Sequence, residues 1–374
     1  MSAPVPHAGH TRALIHTDRL RSNLATIRSR MPGLDVMGVV KANAYGHDAV
    51  LVSSVLVDEG VKHLGVATLQ EALDLREAGV EANIMVFSPL AAEWVGQATE
   101  ACLDVVVDSQ ESLDVAGRTK GRLRCHLKVD TGMGRLGRGA EESETLLRGI
   151  ERHSSLDLGS VWTHLARADE PADTFTDLQL DRFDSFIEAI GGAPAPLHVA
   201  ASAAVFAHPR AIDPTRYSLA RTGIALYGLL DLPGHRPPEG LVPVMEFVSR
   251  ITHLKRVEAG TPISYGSRWH ATEPTWIATV GAGYADGVSR HLSGRGRVRI
   301  GDQSYPIVGT VCMDMFMVDL GPDPRGVQVG QDVCLFGASP PTAFEIADQT
   351  DSITYVPVCA VSSRVPRLQT CYSG

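Results

Sequence analysis

At 374 residues the chain is too long for one ordinary hydrophobic core and comfortable for two domains. Its 44% hydrophobic and 21% charged residues are those of a soluble globular protein, and a net charge of -9 argues against a nucleic-acid partner, which needs a basic face. Met1 to Arg12 has no apolar h-region, no later run approaches a membrane span, and the six cysteines (Cys102, Cys125, Cys312, Cys334, Cys359 and Cys371) form no C-x-x-C pair, so a cytoplasmic protein with reduced thiols and no membrane partner is expected. The fourteen histidines show no metal-ligand spacing, and no metal is expected.

Thr17 and Asp18 offer N-caps to a first helix in which Leu20, Leu24, Ile27 and Met31 recur at helical spacing, and Pro32-Gly33 ends it. The apolar run Val36–Val40 follows as a buried strand. Further short apolar runs come at Leu64–Ala67, Asn83–Phe87, Asp104–Val107, Leu123–Val129, Gly159–Thr163, Leu197–Ala200 and Ser218–Ala220, mostly separated by helical patterns such as Leu69–Ala78. Strands alternating with helices imply parallel pairing, and eight of them within about 230 residues predict a (β/α)8 TIM barrel, with a doubly wound open sheet as the alternative. Near Leu230 the pattern changes. A Pro/Gly-rich linker, Asp231–Gly240, leads to strand-like runs at Val242–Lys255, Trp276–Val280, Val298–Ile300, Tyr305–Val308, Phe316–Leu320 and Asp332–Phe336, with Gly301-Asp302 as a hairpin turn and helical pattern only from about Thr342. The expected organisation is a barrel over residues 1–235 and a mostly β domain over 236–374.

Closed barrels gather their chemistry at the C-terminal ends of the strands. There the sequence places Lys41-Ala-Asn-Ala-Tyr45-Gly-His47 after the first strand and Lys128-Val-Asp130-Thr-Gly-Met-Gly-Arg135 after the fifth. Thr163-His164 ends the sixth, Ser202 follows the seventh, and Arg221-Thr-Gly223 the eighth. Any one of these residues alone reads as a solvated side chain, whereas five polar clusters converging on one rim read as a site. Lys41 follows Val39-Val40 directly. Burial there lowers an ammonium pKa and suits a Schiff-base lysine, the plain alternative being a surface lysine. Gly132-Met-Gly134-Arg-Leu-Gly137 also satisfies the dinucleotide fingerprint G-x-G-x-x-G, with Asp157 about 20 residues on. It lies mid-chain, encloses a charged Arg135, and its Asp157 precedes a strand rather than ending one, so the NAD reading ranks second.

Val39-Val-Lys-Ala-Asn-Ala-Tyr-Gly-His47 resembles the cofactor-binding signature of the alanine racemases, which hold pyridoxal phosphate on that lysine. Eight further matches fall in the family's order: Lys128–Gly137, Thr163-His164, His198–Ser202, Arg221–Gly228, Ser264–Gly266, Gly283–Gly287, Cys312–Asp314, and Tyr355 before Arg364-Val-Pro-Arg367. The resemblance implies a homodimeric, pyridoxal 5'-phosphate-dependent racemase of a small amino acid. Lys41 would be one acid/base and Tyr265, from the second domain, the other. A tyrosine in that role needs cationic or hydrogen-bonding neighbours, which the family supplies through His164 and Arg221. Arg221 would face the pyridine nitrogen and leave it unprotonated, suppressing side reactions such as transamination. Ser202, the Gly223 and Ile224 amides, Tyr45 and Tyr355 would hold the phosphate. Arg135 would grip the substrate carboxylate. Lys128 corresponds to a lysine often carbamylated in the family, its alternative being a salt bridge to Asp130. Tyr284 and Met313 match positions that the partner subunit contributes near the substrate.

The chain departs from the family's usual residues at Leu14-Ile-His-Thr-Asp18, Ala201, Thr222 and Thr354. None of these removes a proposed catalytic group, but they leave a racemase of serine or another small amino acid as an alternative to alanine. A barrel-type decarboxylase using the same cofactor usually carries an acidic residue at the pyridine nitrogen, which Arg221 opposes. A non-catalytic cofactor-binding relative would lack the second domain and its tyrosine.

Overall fold

The computed structural model describes residues 9–370, so Cys371 and most of the Met1–Arg12 stretch lie outside the described residues. Arg12–His16 forms strand β1, and the helix Thr17–Arg30 follows with Leu20, Leu24 and Ile27 buried. His16 occupies the N-cap position without a side-chain cap bond, so Thr17 and Asp18 fall inside the first turn instead of before it. The cause is β1: its pairing to distant strands fixes where extended backbone stops.

Eight parallel strands come next: β2 (Asp35–Val39), β3 (His63–Val66), β4 (Asn83–Val86), β5 (Asp104–Val107), β6 (Leu123–Lys128), β7 (Leu156–Trp162), β8 (Leu197–His198) and β9 (Leu219–Thr222). They pair in the order β8-β7-β6-β5-β4-β3-β2-β9. A bridge between Ala201 and Arg221 joins the two ends, with Arg221 N donating to Ala200 O at 3.0 Å, and the sheet closes into the expected barrel. Its strands are nearly uninterrupted apolar runs because helices cover the outside while side chains fill the inside. Met37, Met85, Val106, Trp162 and Leu219 form an apolar cluster in the interior, with Phe87 against it.

The second domain contains β10 (Met245–Val257), β11 and β12 (Pro262–Ile263 and Trp269–His270, a separate two-stranded sheet), β13 (Thr275–Val280), β14 (Arg297–Ile300), β15 (Gln303–Val308), β16 (Phe316–Gly321), β17 (Asp332–Phe336) and β18 (Arg367–Thr370), all but β11 and β12 joined in a second large sheet. The long β10 pairs with β17 through Phe247–Arg250 and with β13 through Ile251–Val257, so this domain also curls onto itself. Gly301-Asp302 joins β14 to β15 as the expected hairpin turn. Strand β1 lies on the barrel side of the expected 235/236 division, yet it is hydrogen-bonded into this second sheet, antiparallel to β10 and parallel to β18. Its apolar residues Ala13 and Ile15 are fully buried there. A capping box of Thr342 and Glu345 opens the helix Ala343–Gln349, and a short helix at Tyr355–Cys359 returns the chain to the barrel rim. No described helix is long and apolar enough to cross a membrane, and the five described cysteines are free thiols.

Candidate active site

One cleft opens at the C-terminal ends of the barrel strands. It is lined by Lys41, Tyr45, Lys128, Arg135, His164, Ser202, Arg221, Gly223 and Ile224, with Tyr355 reaching in from the second domain. All ten were expected at the site from sequence. Tyr265, Tyr284 and Met313 are elsewhere. They are 73%, 45% and 53% exposed on the second domain of the same chain and take no part in this cleft. The Thr310–Met313 segment ties the three together: Thr310 Oγ1 donates to Tyr265 O at 2.9 Å, Tyr284 N donates to Cys312 O, and Ala285 N to Met313 O.

Lys41 opens an unusual turn. Ala42, Asn43, Ala44 and Tyr45 all have φ between 52° and 54°, a single left-handed turn that L-residues resist. Glu71 braces it, accepting from Ala42 N at 2.7 Å with one oxygen and from Ala67 N at 2.7 Å and Thr68 N at 3.1 Å with the other. Asn43 accepts from Ala49 N, and His47 Nδ1 lies 3.1 and 2.9 Å from the carbonyls of Ala44 and Tyr45. Gly46 follows at φ 81°, where a Cβ would strike the Val358 carbonyl, so only glycine lets the second domain approach this closely. Burial and the charge of Arg135 lower the Lys41 pKa, against the raising effects of Glu71 and Cys359.

Arg221 is the most constrained residue of the site. It is only 3% exposed, and its charge meets imidazoles and carbonyls in place of a carboxylate. Nη1 lies 2.6 Å from His198 Nδ1, while Nη2 donates to Thr163 O at 2.8 Å and Val199 O at 3.0 Å and approaches His164 Nδ1 at 3.2 Å. The Trp162 ring lies under the guanidinium at 4.7 Å and stacks on His198. Burial, reinforced by Arg135, pushes the Arg221 pKa down to about 9. The same burial and cations hold His164 and His198 neutral, far below the usual histidine range.

Lys128 is also buried, with Nζ donating to Val129 O at 2.7 Å and standing over Trp162. Burial and Arg221 bring its pKa to about 7. It forms no ion pair with Asp130, whose carboxylate instead accepts from Gly132 N and Gly134 N. Those bonds also dispose of the dinucleotide reading. The amides of the glycine turn already hold a carboxylate, and Asp157 sits near the start of β7, at the far end of the barrel, paired with Arg122 at 2.9 Å.

At the end of β9, Ser202 Oγ accepts from Gly223 N at 3.0 Å and Ala225 N at 3.2 Å. The Tyr45 hydroxyl fills the space a Cβ on Gly223 would take. Tyr45 is buried between Tyr227 and Tyr355, with ring centroids at 4.9 and 5.8 Å. Thr354 is buried and donates to Leu229 O at 2.8 Å, which anchors the helix carrying Tyr355. Among the described residues no group of His, Cys, Asp and Glu is placed to hold a metal.

Site residues that sequence reasoning missed are Trp162, Glu71 and His198. Two of them left a signal: Trp162 ends β7 two residues before His164, and His198 opens a motif whose serine alone had been given a role.

Two family models cover the chain, the alanine racemase N-terminal domain over residues 15–231 and the C-terminal domain over 244–369. The chain belongs to the alanine racemase family. Relatives named alanine racemase from Chlorobaculum tepidum and Symbiobacterium thermophilum are each 40% identical, over 98% and 96% of this chain and 97% and 96% of their own. The solved alanine racemase from E. faecalis superposes with a TM-score of 0.90 at 35% identity, covering 98% of this chain and 100% of that one. The enzyme from a D-cycloserine-producing Streptomyces lavendulae gives 0.89 at 34%, covering 99% and 98%. The family is one of pyridoxal phosphate-dependent isomerases.

Proposed function

We propose that this chain interconverts L- and D-alanine with pyridoxal phosphate held on Lys41, each site being completed by Tyr265 of a second copy. The observation that carries the reading is the convergence of Lys41, Lys128, Arg135, His164 and Arg221 on one cleft beside a neutral hydroxyl cradle. The fit to the cofactor rests on two features. The Tyr45 hydroxyl, Ser202 and the Gly223 turn form a cradle suited to a phosphate. The guanidinium of Arg221 has its Nη groups committed to fixed acceptors, while its Nε–H meets no acceptor among the described residues. That donor matches a ring nitrogen and, with no acid beside it, leaves the nitrogen unprotonated.

Bound there, pyridoxal phosphate would supply the electron sink that makes the Cα proton of an amino acid removable. The chain's own residues do the rest. Lys41, with its pKa lowered by burial, takes or returns the proton on one face of Cα. Arg135 offers a guanidinium for the substrate carboxylate, and Lys128, carried as a carbamate, would hold Arg135 in place. The opposite face needs a second acid/base, and none of the cleft's own side chains is reserved for it. Tyr265, Tyr284 and Met313 form an exposed patch of the aromatic and methionine side chains that interfaces favour. Burying that patch over the cleft of a second copy would bring Tyr265 opposite Lys41, in a homodimer with two shared sites.

The test is to mix the cofactor-loaded protein with L-alanine, D-alanine or L-serine in deuterated water and follow loss of the Cα proton and appearance of the other enantiomer by NMR and chiral chromatography. Exchange with inversion of both alanine enantiomers, faster than serine, is expected. Exchange confined to serine, or carbon dioxide release from the amino acid, would overturn the assignment.

A further inference from the structure

The barrel interior holds a polar file that ends on Arg221 and whose other four members the reaction above does not use. Five adjacent strands each contribute one buried residue: Asp104 from β5, His126 from β6, Ser160 from β7, His198 from β8 and Arg221 from β9. Each touches the next. Arg221 Nη1 lies 2.6 Å from His198 Nδ1, and His198 Nε2 lies 2.8 Å from Ser160 Oγ. Ser160 Oγ lies 2.6 Å from His126 Nδ1, and His126 Nε2 stands 3.1 Å from Asp104 Oδ2, a close contact off the line of a straight hydrogen bond. We propose that Asp104, His126, Ser160 and His198 act as a one-directional file, hydrogen-bonded from Arg221 to His126 and closed by the Asp104 carboxylate, that positions the Arg221 guanidinium from the opposite end of the barrel strands.

The direction follows from donor and acceptor chemistry. A guanidinium can only donate, so His198 Nδ1 must accept and its proton must sit on Nε2, where Ser160 Oγ accepts it. A carboxylate only accepts, so His126 carries its proton on Nε2, facing Asp104, and its bare Nδ1 accepts the Ser160 hydroxyl proton. The two ends impose one order: a flip of His198 sets donor against donor at Arg221, and a flip of His126 sets a bare nitrogen against the carboxylate. His198 is kept neutral by burial and by Arg221, which leaves it one proton to place. Besides His126, Asp104 acts electrostatically on His63, Arg76 and Cys125, and Arg124 is its register partner on β6.

The arrangement answers a physical difficulty. A buried guanidinium needs an anion, yet a carboxylate in direct contact would claim its N–H groups and offset its charge where the cofactor ring needs it. Two neutral imidazoles and a hydroxyl hold the guanidinium rigidly while the anion stays remote. Asp104, His126, Ser160 and His198 are therefore positioning residues. Their effect on chemistry rests on Arg221 facing the cofactor ring.

The experiment uses the holoenzyme with 15N-labelled histidine and arginine, as wild type, Ser160→Ala, Asp104→Asn and the double variant. Wild-type His198 and His126 should both be neutral and protonated on Nε2. Ser160→Ala should move the His198 Nε2–H resonance and release His126 into mixed tautomers or the charged form. Asp104→Asn, nearly isosteric, should shift the Arg221 side-chain resonances. The double variant should shift them no further than the larger single effect, because one file is cut twice. An Nδ1–H tautomer at either histidine in the wild type, or additive shifts from the two substitutions, overturns the proposal. The visible absorption of the bound cofactor separates this from the functional reading. If the resonances couple as described while the absorption is the same in all four proteins, the file stands and the placement of Arg221 at the ring fails.

Discussion

Replacing Glu71 by glutamine isolates the force that holds the left-handed turn beside Lys41. The four residues Ala42–Tyr45 at φ 52–54° each cost about 1–2 kcal/mol, so the turn stores roughly 4–8 kcal/mol that other contacts must offset. Glu71 contributes one of those contacts, from Ala42 N, and is itself held by bonds from Ala67 N and Thr68 N that the same substitution weakens. Hydrogen bonds to a charged group are worth about 1.5–3 kcal/mol each. Glutamine keeps the shape but sets an NH2 against at least one backbone N–H, so the loss should be about 3 kcal/mol. For a chain this long that is about 3–6 °C in Tm, taking roughly 1–2 °C per kcal/mol. The substitution also removes a charge that raises the Lys41 pKa. The amine's pKa therefore falls further, and the acid limb of alanine racemisation should move to lower pH. Scanning calorimetry and a pH–rate profile read the two effects separately. A Tm within 1 °C of wild type together with an unmoved acid limb would refute the reasoning and leave the turn to Asn43 and His47.

Tyr45→Phe removes the hydroxyl over Gly223 while keeping the ring between Tyr227 and Tyr355; losing one bond to a phosphate, about 1.5–3 kcal/mol, should weaken cofactor binding roughly 10- to 100-fold by fluorescence titration, with little change in Tm of the cofactor-free protein. Lys128, brought to about pKa 7, is uncharged above pH 7 and able to add carbon dioxide with loss of a proton, so a 13C carbamate signal should appear from labelled bicarbonate at pH 8, fade below pH 7, and be missing in Lys128→Met. The linkage has a definite sign: unfolding returns this amine to the ordinary lysine range, the unfolded state binds the extra proton above pH 7, and stability should rise with pH from about 7 toward 10 in wild type but less in Lys128→Met. Lys41→Ala and Tyr265→Phe proteins should each be nearly inactive, yet refolding them together should restore roughly a quarter of wild-type activity, because about half the dimers are mixed and one of their two sites is whole; recovery of nothing would confine the site to one chain.

The barrel strands were legible because each is buried on both faces, and such strands leave unbroken apolar runs whose ends mark the rim. The expected residues around Lys41, Lys128, His164, Ser202 and Arg221 line the cleft for the same reason. Strand β1 was not legible. Its five residues pair with β10 and β18 through contacts such as Ala13 to Phe247 and to Arg367, so nothing local distinguishes it from a lead-in to the helix. Glu71 reads from sequence as an ordinary capping-box residue after Thr68, and it is one. Its second oxygen works across the rim on Ala42, a pairing that only the closed barrel creates. The interior file was hidden differently. His126, Ser160 and His198 sit in apolar runs as isolated polar residues, and only the strand order makes them neighbours.

The two domains divide the work on Lys41 in a way that explains why neither stands alone in sequence or structure. The barrel supplies Lys41, but the second domain holds the turn that carries it. Gly46 lies against Val358, and Arg367 donates to Gly46 O at 2.8 Å while its other N–H groups grip the carbonyls of Val361, Ser362 and Val365. Tyr355 comes to the cleft from the same segment. Strands β1 and β18, paired side by side, fix that segment to the start of the barrel chain. On the same domain Arg364 chelates Asp286 at 2.7 and 2.9 Å and reaches Asp314 at 2.9 Å, which stiffens the patch bearing Tyr284 and Met313. The contacts that steady Lys41 are therefore made within one chain, whereas Tyr265 is turned outward on a braced surface. Rigidity at the lysine and projection of the tyrosine are properties of one domain acting on two barrels, its own and, in the proposed dimer, its neighbour's.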